Sequence, residues 1–81
     1  MSRYFFDTDD GEQADQDKIG ISFSNADLAR AEALRALTDM ARDVMPDGNE
    51  RRFSVHVRDR EGNGIFEAKL TLRAKWLSGE K

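Results

Sequence analysis

A chain of 81 residues has room for one small core, which excludes multi-domain enzyme architectures; its apolar share of 38 % and its five Phe, one Tyr and one Trp are enough to drive folding. With no Cys and a single His, disulfides, thiolate metal sites and histidine clusters are excluded, no apolar run approaches the roughly 20 residues of a membrane helix, and Met1-Ser2-Arg3 opens no signal-peptide core. The formal net charge of -3 divides unevenly: residues 1–50 carry five basic and twelve acidic side chains, whereas residues 51–81 carry eight and four. These features predict a soluble, cytoplasmic domain of bacterial type spanning 1–81, with two oppositely charged surfaces available for attraction within or between copies.

The run Arg3-Tyr4-Phe5-Phe6-Asp7 has high strand preference and ends in the turn-forming Thr8-Asp9-Asp10-Gly11. Three consecutive aromatics do not alternate, so this strand is expected at the sheet centre, covered on both faces by a helix, a loop or another subunit. An acidic loop follows over about 8–18. Ile19, Ile21 and Phe23 then alternate with Gly20 and Ser22 and predict a second strand pairing with the first.

Ser24-Asn25-Ala26-Asp27 is a helix-start pattern, with the Ser24 hydroxyl as cap and Asp27 at the positive helix end. The Ala-, Leu-, Arg- and Glu-rich stretch that follows predicts a helix over about 25–45, stopped by Pro46-Asp47-Gly48. At 100° per residue, Ala26, Ala33, Leu34, Leu37, Met40, Ala41 and Val44 share one face, and Ala29, Ala33 and Ala41 are small enough for close approach to a sheet.

The segment 52–76 predicts a hairpin. Phe53, Val55 and Val57 alternate, Asp59-Arg60-Glu61-Gly62-Asn63-Gly64 turns, and Phe66, Ala68, Leu70 and Leu72 alternate again, with the pattern continuing to Trp76. A turn centred on Glu61-Gly62 sets Val57 against Phe66, Val55 against Ala68 and Phe53 against Leu70; a turn centred on Gly62-Asn63 keeps the faces and sets Arg58 against Glu67. Leu34, Leu37, Met40, Phe53, Val55, Val57, Phe66 and Leu70 form the expected core. The fold class is therefore α+β, a two-layer β-β-α-β-β domain with one helix on a four-stranded sheet. A β-grasp-like order 2-1-4-3 is expected, with the first and last strands parallel at its centre.

Arg3-Tyr4-Phe5-Phe6-Asp7, the helical Ala31-Glu32-Ala33-Leu34-Arg35-Ala36-Leu37 and Val57-Arg58-Asp59-Arg60-Glu61-Gly62-Asn63 together resemble a family of short bacterial proteins of unknown function. The resemblance spans almost the whole chain and implies no activity, cofactor or catalytic residue.

The residues themselves argue against chemistry. Asp7, Asp9, Asp10 and Glu12 suggest a cation, but with Gly11 at the sixth position of a calcium loop Phe6 falls at the first, and starting from Asp7 puts Lys18 at the twelfth. His56, between Val55 and Val57, points away from the core toward Glu67 or Lys69, and no serine lies in a nucleophile turn beside it. Gly62-Asn63-Gly64 joins strands and faces no helix terminus. No catalytic, cofactor-binding or metal residue is expected, and the protein is not expected to be an enzyme. Arg51, Arg52, Arg58, Lys69, Arg73 and Lys75, with Trp76 as a stacking group, offer a weak nucleic-acid reading in which alternation sets Arg58, Lys69, Arg73 and Lys75 on the open sheet face, opposed by a pI near 5.1 and by the lack of interleaved aromatics. The favoured expectation is a protein-interaction or self-association module, with a homodimer or another protein as partner and an interaction face of Tyr4, Phe6, Arg58, Lys69, Arg73, Lys75 and Trp76.

Overall fold

The computed structural model describes residues 1–43 and 49–79. Along them run β1 (Ser2–Asp9), β2 (Ala14–Asp15), β3 (Ile21–Phe23), α1 (Ala26–Asp43), β4 (Glu50–Arg58) and β5 (Gly64–Arg73). One helix packs on one face of an open antiparallel sheet, the two-layer α+β architecture expected from the patterning.

The aromatic run of β1 is covered on both faces. Tyr4 is buried in the core, and Phe6 packs against that core with its ring edge-on to Phe23 at 6.3 Å. Phe5, on the other face, lies under the Arg58 guanidinium 4.9 Å from its ring centroid. The acidic stretch 8–18 is more structured than a loop: β1 continues through Thr8-Asp9, turns over Asp10–Gln13, and returns as β2, with Thr8 opposite Asp15.

The return strand is broken. Tyr4 faces Ile21, two residues beyond the partner that the β1–β2 register would give it, so residues 16–20 bulge away and the strand expected from Ile19 begins at Ile21. Ile19 is 79 % exposed for that reason. Gly20 closes the bulge at φ +77, where a Cβ would stand 2.9 Å from the Tyr4 carbonyl oxygen.

Helix α1 is capped by Asn25, whose Oδ1 accepts the Leu28 amide hydrogen at 3.0 Å, rather than by Ser24. Its expected end at Val44 or Met45, and Val44's place in the core, lie outside the described residues. The buried stripe is Ala29, Ala33 and Leu37, with Met40 and Ala41 packed beside it; Ala26 is exposed because it sits in the first turn, at the rim of the sheet. The two fully packed alanines let the helix sit close on β4, where Phe53, Val55 and Val57 are at most 2 % exposed.

The C-terminal hairpin adopts the Glu61-Gly62 register: Val57 faces Phe66, Val55 faces Ala68 and Phe53 faces Leu70. An irregularity follows at Val57/Arg58, where Arg58 pairs with Gly64, so Arg58 does not meet Glu67. Within the sheet the order is β2-β1-β4-β5, with β3 also pairing β1. Beside β1 therefore lies the first strand of the hairpin, antiparallel, rather than its second strand in parallel. Both orders point the hairpin strands the same way, so crossover handedness does not separate them. Burial does: the β-branched pair Val55 and Val57 occupies the strand with neighbours on both sides and the helix above, while β5, with Leu70 and Leu72 each 40 % exposed, takes the edge. Leu70 accordingly leaves the expected core. β5 also stops at Arg73, short of Trp76, which is 62 % exposed.

Candidate interaction surface

Two sets of side chains on the sheet carry polar or exposed apolar groups beyond those the core uses. The first is an ionic node on the face away from the helix. Arg58 donates through Nε to Asp7 Oδ2 at 2.9 Å and through Nη2 to the Asp17 carbonyl oxygen at 2.6 Å. Asp17 accepts the amide hydrogens of Phe6 at 3.1 Å, Ile19 at 3.0 Å and Gly20 at 3.1 Å, and its own amide donates to Asp7 Oδ1 at 2.9 Å. A side chain thus replaces the backbone ladder where the return strand bulges.

Burial works against ionisation of both carboxyls, but hydrogen bonds prevail. Donation from Arg58 and the Asp17 amide holds Asp7 below the ordinary 3.8, and three backbone amides with the Arg58 charge do the same for Asp17. The same partners raise Arg58 above its ordinary value, chiefly through its hydrogen bond to Asp7. This node fastens the fold and presents little to a partner: the Arg58 side chain is 20 % exposed.

Beside it, Asp7, Ser54 and His56 line one shallow hollow of about 350 Å³. The residue types suit nucleophilic catalysis, but the geometry does not. Asp7 is held by Arg58, His56 Nδ1 lies 3.9 Å from Glu67 Oε2, and among the described residues no hydrogen bond joins Ser54 to His56. The His56 ring instead packs over Gly64, where a Cβ would meet its Nε2 at 2.7 Å. The carboxylates of the acidic turn are likewise spent on backbone: Asp10 Oδ1 accepts from Glu12 and Gln13, and Asp9 Oδ1 from Gly11.

The second set is the outer edge of β5. The Ala74 amide donates to the Asn49 carbonyl at 2.7 Å, which makes the pairs at even-numbered β5 positions the mutually hydrogen-bonded ones. The amide and carbonyl groups of Glu67, Lys69, Thr71 and Arg73 therefore point outward from the sheet. Along the helix-side row next to them, Phe66 and Ala68 are half-buried and Leu70 and Leu72 are exposed, and the chain continues into exposed Trp76 and Leu77. Of the residues expected to form an interaction face, Lys69, Arg73, Lys75 and Trp76 stand exposed at this end, whereas Tyr4 and Phe6 lie under the helix and Arg58 is engaged within the chain. Leu70 and Leu72 join the surface unforeseen, because period-two patterning marks them as helix-facing without showing how far the helix reaches.

The family model described as a domain of unknown function, DUF6894, matches residues 3–71. The chain belongs to the DUF6894 family. That match takes in the ionic node and β5 up to Thr71, while Trp76 and Leu77 fall beyond it. No curated protein and no solved structure matches the chain.

The two ends of the sheet differ in kind. At one end the strand is two residues long and its continuation is displaced by the Asp17 bulge; at the other, β5 pairs regularly with β4 from Phe66 to Arg73. Short, bulged edges resist further pairing, and long regular ones invite it. The surface is large for the mass: 6062 Å² accessible, against about 4,900 Å² for a compact monomer of this size. The Cα radius of gyration of 15.2 Å likewise exceeds the roughly 12 Å of a compact chain of this length.

Proposed function

We propose that this protein is a non-catalytic protein-interaction module that takes an extended polypeptide segment as an added strand along β5. The observation that carries this reading is the regular outer edge of β5, with the backbone groups of Glu67, Lys69, Thr71 and Arg73 turned outward beside exposed Leu70 and Leu72. Backbone hydrogen bonds supply affinity in such a mode and alternate side chains supply selectivity. A strand laid here meets an apolar row on the helix side and Glu67, Lys69 and Arg73 on the other. Its non-catalytic character is supported by the engagement of Asp7 with Arg58 and the packing of His56 over Gly64.

Thr71→Pro tests it. Proline at this position removes an outward amide hydrogen and leaves the β4–β5 ladder intact. On an array of immobilised extended octapeptides, the parent protein should bind a subset rich in alternating apolar residues, and the variant should bind none while keeping the parent's circular dichroism and melting temperature. Equal binding by the two proteins, or no binding by a parent that sediments as a monomer, overturns the reading.

A further inference from the structure

Resting on that reading, we infer that the strand added to β5 is the β5 of a second copy, paired antiparallel about a two-fold axis at Leu70. A two-fold pairing keeps each face of the sheet continuous, so position i meets a position of the same parity. Four registers centre on the middle of the regular stretch, and the one centred on Thr71 sets Lys69 against the second copy's Arg73. One centred on Lys69 sets two lysines against each other. One centred on Ala68 runs Ile65 into the partner's Thr71, through the irregularity next to Gly64. The register centred on Leu70 uses only Glu67–Arg73, all of it regular.

That register also satisfies the side chains. Glu67 meets the second copy's Arg73 at both ends, and Lys69 meets Thr71. On the helix side Leu70 meets Leu70 and Leu72 meets Ala68, covering the two residues that β5 leaves 40 % exposed. Arg73 is free to reach across: its side chain is 76 % exposed and its contact to Glu50 within the chain is long, at 3.5 Å. The result is one continuous sheet with both helices on the same side.

Because the chain has no cysteine, single-cysteine variants read the register directly. Leu70 pairs with itself at a non-hydrogen-bonded position, where the Cα atoms approach to about 4.5 Å, within disulfide range. Under mild oxidation Leu70→Cys should become a covalent dimer, while Ala68→Cys and Lys69→Cys should stay largely monomeric. Sedimentation of the parent should show its mass doubling with concentration. Arg73→Glu should weaken association at least tenfold, and Glu67→Arg combined with Arg73→Glu should restore it. A parent that remains a monomer at millimolar concentration overturns the second-copy assignment, and peptide-array binding by that same monomer leaves strand addition standing. A dimer that cross-links through Ala68→Cys or Lys69→Cys in place of Leu70→Cys overturns the register. A dimer untouched by Thr71→Pro overturns strand addition itself.

Discussion

Replacing Asp17 with alanine should remove about 2–4 kcal/mol of stability, although the residue lies outside every regular element. Its carboxylate serves the amides of Phe6, Ile19 and Gly20, and those of Phe6 and Gly20 are partly buried. Losing a charged acceptor costs about 1 kcal/mol per hydrogen bond when water can enter, and up to about 3 when a donor is left dry. Ile19 is exposed and turns to solvent, so two donors carry the cost. Against the roughly 4–12 kcal/mol expected of a chain this long, the loss is a large fraction. Asp17→Asn should cost less, about 1–2 kcal/mol, because one oxygen still accepts from Ile19 and Gly20 while the amide nitrogen opposes the Phe6 donor. The pH dependence has a definite sign. Asp7 and Asp17 have folded values lowered from 3.8, so their contribution is present above that value and is lost as pH falls through the lowered ones. Urea unfolding followed by far-ultraviolet circular dichroism at pH 7 and pH 3 measures both effects; exposed Trp76 makes fluorescence a poor reporter. An Asp17→Ala protein within about 0.5 kcal/mol of the parent at pH 7, or one with the parent's acid sensitivity, refutes the role given to the bulge.

Leu37→Ala, at a residue 5 % exposed on the sheet-facing side of α1, should cost about 2–5 kcal/mol in the same urea assay, and a parent-like midpoint removes Leu37 from the core. Gly64→Ala should cost under about 1 kcal/mol, because its φ is not in the left-handed region and the half-exposed His56 ring can swing aside. In a His56→Ala background the same change should stabilise by about 0.4–1 kcal/mol through loss of unfolded-state freedom, and an equal penalty in both backgrounds shows that His56 is not what the new methyl meets.

Where a local rule decides the outcome, residue order was sufficient. Alternation in Phe53-Ser54-Val55-His56-Val57 and in Phe66–Leu72 determined which side chains face the helix, and the two-residue period admitted the observed pairing of Phe53 with Leu70. The helix-forming composition from Ala26 onward and the close-packing alanines determined α1 and its seat on the sheet. Non-alternating Tyr4-Phe5-Phe6 called for cover on both faces, and cover is there, supplied from within the chain by Arg58. What the chain order left open is whatever depends on neighbours distant in sequence. A period of two fixes which way a residue faces and is silent about which strand lies alongside, so the choice of β4 over β5 beside β1 was made by total burial under the helix. The break at Asp17 has the same origin: a carboxylate serving three backbone amides is indistinguishable in sequence from any acidic loop residue until folding brings Phe6 and Arg58 to it. Exposure of Leu70 and Leu72 follows from where the helix lies, mainly over β4, and that is a property of the packed layers rather than of either segment.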